Sequence, residues 1–368
     1  MRQRGATGRG NGVAFEGGKG RGLVFEAVPD SGQVRVRIDE AGRPKYLWPN
    51  RTLLPDAAIE RLRKRATFFF FPPPRPVEHK GVSWIVNLCA DADEYRAGLL
   101  GLDAGFGAAL PIFNHPRAVA LTRRDLSAAR LEGIDGLVVP RCHRFLAEET
   151  DSFQRAFKEG GFRYPVLVRP AASQTGRDLV RIDSPFDWPR VYQTHWYGKP
   201  HFMTQYHDTL GPEGFLKLRA GWFGGQMRIH SIKQSQSWRI NHDTGETAPD
   251  AFVLREAELC EKLLAEGRLA AIMAEIGRRS AMDAIGADLG LLPDGRIVLF
   301  EANAAMTMVH PAGYYATPVA KDRLKRLHGP LREAFEVSVD RFVTGAARGD
   351  ACAAAALPPV AETLGQAQ

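Results

Sequence analysis

The stretch from Ile285 to Met306, IGADLGLLPDGRIVLFEANAAM, constrains the fold more than any other part of the chain. Apolar runs flank Pro293-Asp294-Gly295, a set of residues that favours a tight turn, so the flanks read as two strands of an antiparallel hairpin. Closing that hairpin sets Asp288 opposite Glu301, and period-two alternation puts Asn303 on the face of Glu301. Two carboxylates and one carboxamide then meet at the open end. All three are hard oxygen donors, and Mg²⁺ prefers one or two carboxylates plus water and phosphate over a full protein cage. The expectation is that Asp288, Glu301 and Asn303 hold Mg²⁺ beneath a nucleoside triphosphate. A hairpin with solvated acids is the alternative. Against it, Glu301 closes the run Ile297-Val298-Leu299-Phe300, which reads as a buried strand, and small residues follow it. A carboxylate in that position needs a partner or a metal.

A chain of 368 residues can bury a sizeable core and is expected to fold as two or three lobes. No apolar run reaches membrane-spanning length, since Phe68 to Phe71 runs straight into Pro72-Pro73-Pro74. The four cysteines, Cys89, Cys142, Cys260 and Cys352, lack metal-type spacing, so a reducing cytoplasm is the default compartment. The net charge of +7 is spread along the chain and suits anionic ligands such as nucleotide phosphates as well as it suits nucleic acid. Arg-Gly pairs in residues 1–20 read as a flexible segment; they are the only hint of RNA binding, which is not the expected role.

Leu23 to Phe25 and Val34 to Ile38 read as strands of a small β-appendage, Pro55 to Arg65 has helical spacing, and PPPRPVE at 72–78 is a Pro-rich connector. Strands at Ser83–Leu88, Ala109–Asn114 and Val138–Pro140 alternate with helical stretches, the rhythm of a small parallel α/β layer. Arg169 then ends an apolar strand and is followed by the loop Pro170 to Arg177. Small and hydroxylic residues there, Ser173, Thr175 and Gly176 among them, let backbone N–H groups approach a phosphate. A plain hairpin explains that loop equally well. Lys217 and Arg219 share one face of a later strand, and Arg228 and His230 share a face of its return strand. Glu256 to Arg278 reads as one long amphipathic helix and Lys321 to Phe342 as the last one.

In this order, the strand with its cation and small-residue loop, the strand ending Gln205-Tyr206, the internal Arg219, the long helix and D…E-x-N resemble the ATP-grasp superfamily. The step from Asp288 to Glu301 and on to Asn303 resembles the metal triad of D-alanine–D-alanine ligase and glutathione synthetase. Asn114-His115-Pro116 and Thr122-Arg123-Arg124-Asp125 are similar to the glutathione synthetase-like branch often found with tetratricopeptide repeats. The resemblance spans roughly residues 82–342 and implies an α/β fold of α+β lobes. Its expected division is a flexible segment at 1–20, an appendage and linker at 21–78, a preceding α/β domain at 79–145, and an N-terminal lobe at 146–206. A C-terminal lobe with the Mg²⁺ site at 207–345 and a disordered Ala-rich tail at 346–368 complete it.

Carried over, the resemblance gives Arg141 and Arg169 the places of phosphate-binding cations, commonly lysines. Ser173 to Gly176 would cover the phosphates, Gln205 and Tyr206 would meet adenine, and Lys217 would lie near nucleotide or substrate. Arg219, with Arg228, would face the moving phosphoryl group. His230, Trp238, His242 and His310 are nearby candidates for shaping an acceptor pocket, with a structural role as the alternative for each. The implied reaction joins a small-molecule or peptide carboxylate to an amine through an acyl phosphate, releasing ADP and phosphate. Dimers are common among similar ligases, so a homodimer is one open alternative for the oligomeric state. Arg169 in place of Lys and a Gly-poor cover loop depart from the pattern. They keep open an ATP-grasp kinase, or a nucleotide-binding protein without turnover.

Overall fold

A computed structural model of the chain describes residues 21–38, 41–47, 61–72, 81–173, 176, 178–212, 214–240, 250–304, 322, 324–348 and 356–365. In order the elements are β1 (Arg21–Ala27), β2 (Arg35–Ile38), β3 (Pro44–Leu47), β4 (Ala66–Phe71), β5 (Val82–Asn87), α1 (Arg96–Phe106), β6 (Ile112–Phe113), α2 (Pro116–Ala120), α3 (Arg124–Leu131) and β7 (Leu137–Val138). Then come β8 (Cys142–Ala147), α4 (Ser152–Glu159), β9 (Val166–Pro170), β10 (Val180–Ile182), a 3₁₀ segment (Pro185–Gln193), β11 (Lys199–Gln205), β12 (Leu210–Gly211), β13 (Gly214–Phe223) and β14 (Gln226–Ser235). The described part closes with α5 (Asp250–Ala265), α6 (Arg268–Ser280), β15 (Ala284–Leu291), β16 (Ile297–Asn303), α7 (Gly329–Arg348) and α8 (Val360–Gly365).

Three sheets give a mixed α/β architecture, consistent with the expected class. The first has the order β4-β1-β5-β6 with every pairing parallel. Its central strands are apolar on both faces, as a sheet covered on both sides requires. Leu23, Phe25 and Ile85 pack with Leu99 and Leu102 of α1. Val24, Trp84 and Val86 pack with Leu331, Phe335 and Val339 of α7. This corrects the separate appendage expected at 21–78: β1 is a central strand of the parallel layer, and only β2 and β3 form a hairpin of their own. The third strand expected in that layer, β7, pairs instead with β16.

The second sheet, β10-β9-β11-β8, is antiparallel. Val166, Val168 and Met203 bury one face against Phe153, Phe162 and Trp188. The third runs β12-β13-β15-β16-β7, with β14 beside β13. Leu218, Ala220, Ala287 and Leu289 pack with Leu269, Ile272 and Ile276 of α6. The opposite face carries Lys217, Arg219 and Asp288, while Phe223 and Ala284 farther along it pack with α7.

The single long helix expected at 256–278 is two helices, broken at Gly267, whose φ of +69° suits glycine and stops the first. Over the stretch expected as the last helix, Asp322 is helical, a π-helical turn covers Leu324–His328 and α7 runs on to Arg348, with α8 following it. The tail expected to be disordered contains α8, whose Val360 and Leu364 are buried one helical turn apart. The Val360 N–H donates to Asp103 Oδ2 at 2.9 Å, and Arg117 Nη1 donates to the Leu357 carbonyl at 3.1 Å. Residues 1–20 and the connector at 73–78 lie outside the described residues. Among those described, no helix is long and apolar enough to cross a membrane.

Candidate active site

The hairpin of β15 and β16 carries the expected triad, and a β-bulge is what aligns it. Leu291 pairs with Ile297 and Leu289 with Leu299, a register that would next set Asp288 against Phe300. The register shifts between Asp288 and Leu289, so that Asp288 pairs with Glu301 and Gly286 with Asn303. One extra residue on β16 thus returns Glu301 to the face of Asp288. Asn303 Nδ2 donates to Glu301 Oε1. The three oxygen-bearing side chains do converge.

They converge among cations. On the neighbouring strand Arg219 pairs with Asp288, donating from Nε to Oδ1 at 2.7 Å and from Nη2 to Oδ2 at 3.0 Å. Lys217 Nζ lies 2.5 Å from the same Oδ2. Burial alone would raise the Asp288 carboxyl, but Lys217 and Arg219 outweigh it and hold the group ionised, well below the usual carboxylate range. Glu301 is balanced the same way: burial raises it, while Arg124 and then Arg169 bring it below its ordinary value. Arg124 Nη2 is 2.6 Å from Glu301 Oε2.

Arg169 comes from the second sheet. Phe202 pairs with Arg144 on one side and Arg169 on the other, so both arginines stand on one face of that sheet. Burial, and then the charge of Arg124, push the Arg169 guanidinium down to about 9. Its Nε donates to Ser173 Oγ at 3.2 Å, while its buried Nη2 has no hydrogen-bond partner among the described residues. Ser173 in turn donates to the Pro170 carbonyl at 2.9 Å, which ties the loop to Arg169. Gly176 has a φ of +72°, and Thr175 lies outside the described residues.

Arg141 is a correction. It is exposed, and its Nη1 donates to the carbonyls of Gly160 and Gly161 at 2.8 and 2.7 Å, where α4 ends. Free carbonyls at a helix C-terminus draw a cation. The partner of Arg169 across the sheet is Arg144, whose Nη2 lies 3.5 Å from Asp93 Oδ1. Strand alternation through Cys142, Arg144 and Leu146 was the available signal; what sequence lacked was the register with β11.

At the far end of β11, the Gln205 side chain is held by the Arg163 N–H and carbonyl and by the Pro165 carbonyl. The Tyr206 ring stacks under the Arg181 guanidinium at 4.2 Å and meets Trp238 edge-on at 6.4 Å. Burial raises the Tyr206 hydroxyl to about 12, so it stays protonated. Trp238 therefore belongs with the hinge rather than with an acceptor pocket. Arg228 turns toward the tip of its own hairpin, donating to Met227 O and Gln226 Oε1 at 2.8 and 2.9 Å. His230 is fully buried, its ring stacked on His328 at 4.7 Å, so it packs the core. His242 and His310 lie outside the described residues.

A small polar cleft joins these parts. Asp91 and Asp93 from the loop after β5, Thr122 and Arg124 at the start of α3, Ala171 after β9, and Glu301 with Asn303 line it. Burial, and then Asp93, raise the Asp91 carboxyl to about 7. The more open groove between Leu62 and Val339 carries one ion pair, Arg61 to Glu336, and no convergent donor set. Sequence reasoning named neither Arg124, Arg144 and Arg181 nor Asp91 as site residues.

Among the described residues no three or more His, Cys, Asp or Glu side chains gather as a metal site. The fit of a metal is a matter of charge. Asp288 and Glu301 face four cations, Lys217, Arg219, Arg124 and Arg169, and Asp91, raised by burial to about 7, is the other carboxylate acting on Arg124 and Arg169, so cations outnumber carboxylates. A bare divalent ion would worsen that excess. A divalent ion arriving on a polyphosphate would relieve it, and two carboxylates with a carboxamide are the donor set Mg²⁺ takes in such company. The residues fit Mg²⁺ with a nucleotide.

No protein-family model matches the chain, and no curated protein does. Solved structures similar to it include a RimK domain ATP-grasp protein from Sphaerobacter thermophilus, 16% identical over 88% of this chain and 100% of that one, with a TM-score of 0.46. The D-cycloserine synthetase DcsG is 13% identical over 87% and 100%, with a TM-score of 0.49. The VanG D-Ala:D-Ser ligase from Enterococcus faecalis is 13% identical over 72% and 74%, with a TM-score of 0.43. At such identities the meaning of the site rests on its own geometry; these are the structures to which the chain is similar.

Proposed function

We propose that the chain is an ATP-dependent carboxylate–amine ligase that works through an acyl phosphate. The observation that carries the reading is the row Arg219–Asp288–Glu301, with Asn303 beside it and the charges of Arg124 and Arg169 on Glu301, where Glu301, Asn303 and Arg124 line one small cleft. A buried excess of guanidinium around two ionised carboxylates and a carboxamide suits a metal-bound triphosphate and little else among small anions.

In this reading the Tyr206, Arg181 and Trp238 cluster receives the base, and Arg144 and Arg169 hold the phosphates on the open face of the second sheet. Mg²⁺, held by Asp288, Glu301 and Asn303, would supply charge neutralisation at the phosphate oxygens. A substrate carboxylate oxygen attacks the terminal phosphorus, and ADP leaves. An amine then attacks the acyl carbonyl, and collapse expels phosphate with formation of the amide. The chain offers no covalent nucleophile for this; it supplies position and fixed positive charge. Lys217 and Arg219 keep Asp288 ionised and aimed, and their N–H groups face the side on which charge builds. The carboxylic acid and the amine are expected to be small molecules or short peptides.

The test is ADP release from ATP and Mg²⁺ across a matrix of carboxylic acids and amines, with mass detection of products. Release that needs both an acid and an amine, with an amide formed, supports the ligase. A phosphorylated product with no amide replaces it with the kinase. Nucleotide binding with no turnover on any pair leaves a binding protein.

A further inference from the structure

Arg124 enters the reading above only as a charge beside Glu301, with no contact to the nucleotide assigned to it, yet its position is hard to explain by packing alone. It is the first residue of α3, on the parallel α/β layer, and it reaches into the cleft to lie 2.6 Å from Glu301 Oε2. Its neighbour Arg123 is satisfied locally, donating to both oxygens of Asp125 at 2.8 and 2.9 Å. Arg124 has no carboxylate of its own; it shares Glu301 with Arg169. Two buried guanidiniums share Glu301, with Asp91 the other carboxylate acting on them, and Arg169 Nη2 is buried there without a hydrogen-bond partner among the described residues. Two N–H forks, one from helix α3 and one from the second sheet, match a tetrahedral oxyanion.

The direction of the nucleotide decides which oxyanion. The aromatic cluster sits where β11 ends, at Gln205 and Tyr206. The Arg144–Phe202–Arg169 row lies three residues back along the strand, roughly 10 Å away at the strand rise. A nucleotide laid from the first to the second places its inner phosphates over Arg144 and Arg169. Its last phosphate then falls beyond, toward Arg124 and Glu301. Any cation brought with the triphosphate competes with Arg124 for Glu301, so the guanidinium needs a new anion when the nucleotide binds.

We propose that Arg124 grips the terminal phosphoryl group, the one that moves to the carboxylate, and therefore contacts the triphosphate but not the diphosphate. This rests on the nucleotide reading of the site. It also makes the parallel layer a sensor of whether that phosphate is present.

The experiment is calorimetric binding of ADP and of the non-hydrolysable β,γ-imido analogue of ATP, each with Mg²⁺, to the full chain and to Arg124→Ala and Arg124→Lys. Arg124→Ala should weaken the imido analogue at least about tenfold and ADP by less than about threefold, as loss of one charge-assisted contact implies. Arg124→Lys, which keeps a charge for Glu301, should fall between, and its ADP affinity reports that the site is folded. Equal losses for both nucleotides, or no loss for either, overturn the assignment of Arg124 alone. Wild-type protein that binds neither nucleotide overturns the reading of the whole site, and this inference with it.

Discussion

Replacing Glu301 with Gln tests the charge balance on which the site reading depends. In the native cluster Glu301 is the carboxylate shared by Arg124 and Arg169, and its side chain is only 18% exposed. Gln removes one negative charge and leaves both guanidiniums buried without their shared carboxylate, with Asp91 the other acid acting on them. Removing one partner of a buried pair typically costs about 3–5 kcal/mol; with partial exposure here, about 2–3 kcal/mol is the expected loss of unfolding free energy. Asn303→Ala isolates the other part. It removes a donor to Glu301 but no charge, so it should cost about 1 kcal/mol while still suppressing turnover. Urea denaturation measures the first quantity and ADP release the second. A double variant, Glu301→Gln with Arg124→Met, should be more stable than Glu301→Gln alone, because it removes the stranded charge. Millimolar inorganic phosphate should raise the midpoint of Glu301→Gln more than that of the wild type. If Glu301→Gln is as stable as wild type and turns over ATP, the carboxylate neither balances the arginines nor serves a metal, and the reasoning fails.

Three further outcomes follow from particular contacts. Arg144→Ala should weaken binding of the imido analogue by about tenfold, whereas Arg141→Ala, which loses only its bonds at the end of α4, should stay within about twofold; calorimetry giving the reverse order would restore the sequence assignment. Asp283 accepts the Asn114 N–H at 2.7 Å, and burial raises its carboxyl to about 6. A raised folded value means that stability is greatest below about pH 4 and is lost as pH climbs through about 6, by up to about 3 kcal/mol. Asp283→Asn should therefore melt above wild type at pH 7.5 and level with it at pH 4; a gap independent of pH refutes the assignment. Leu364→Ala should cost about 2–3 kcal/mol in urea, since Leu364 is buried where α8 meets the first layer, and a cost under about 0.5 would mean that α8 does not hold to it.

What could be read from the chain was whatever lay within one hairpin or one strand. The Pro293-Asp294-Gly295 turn and the apolar flanks fixed β15 and β16, and the spacing of Asp288, Glu301 and Asn303 survived into the structure. Even there a symmetric closure would have opposed Asp288 to Phe300, because a bulge leaves no mark in hydrophobic periodicity. Arg144 and Arg141 are equally basic and three residues apart; only the pairing of Phe202 with Arg144 and Arg169, set by strands far apart in sequence, tells them apart. The same limit hid β1. A short apolar strand looks alike at the centre of a sheet and in a small appendage, and its place is decided by β5 and β4 on either side. Arg124 carries the point furthest. In sequence it stands in the family-like segment Thr122-Arg123-Arg124-Asp125, but nothing local tells it from Arg123 as the one that enters the site. It becomes a site residue only because β7 follows α3 into the third sheet and pairs with β16, which brings the parallel layer up against Glu301. Long-range pairing thus decides which of many surface-type cations is buried, and burial converts an arginine into a demand for an anion.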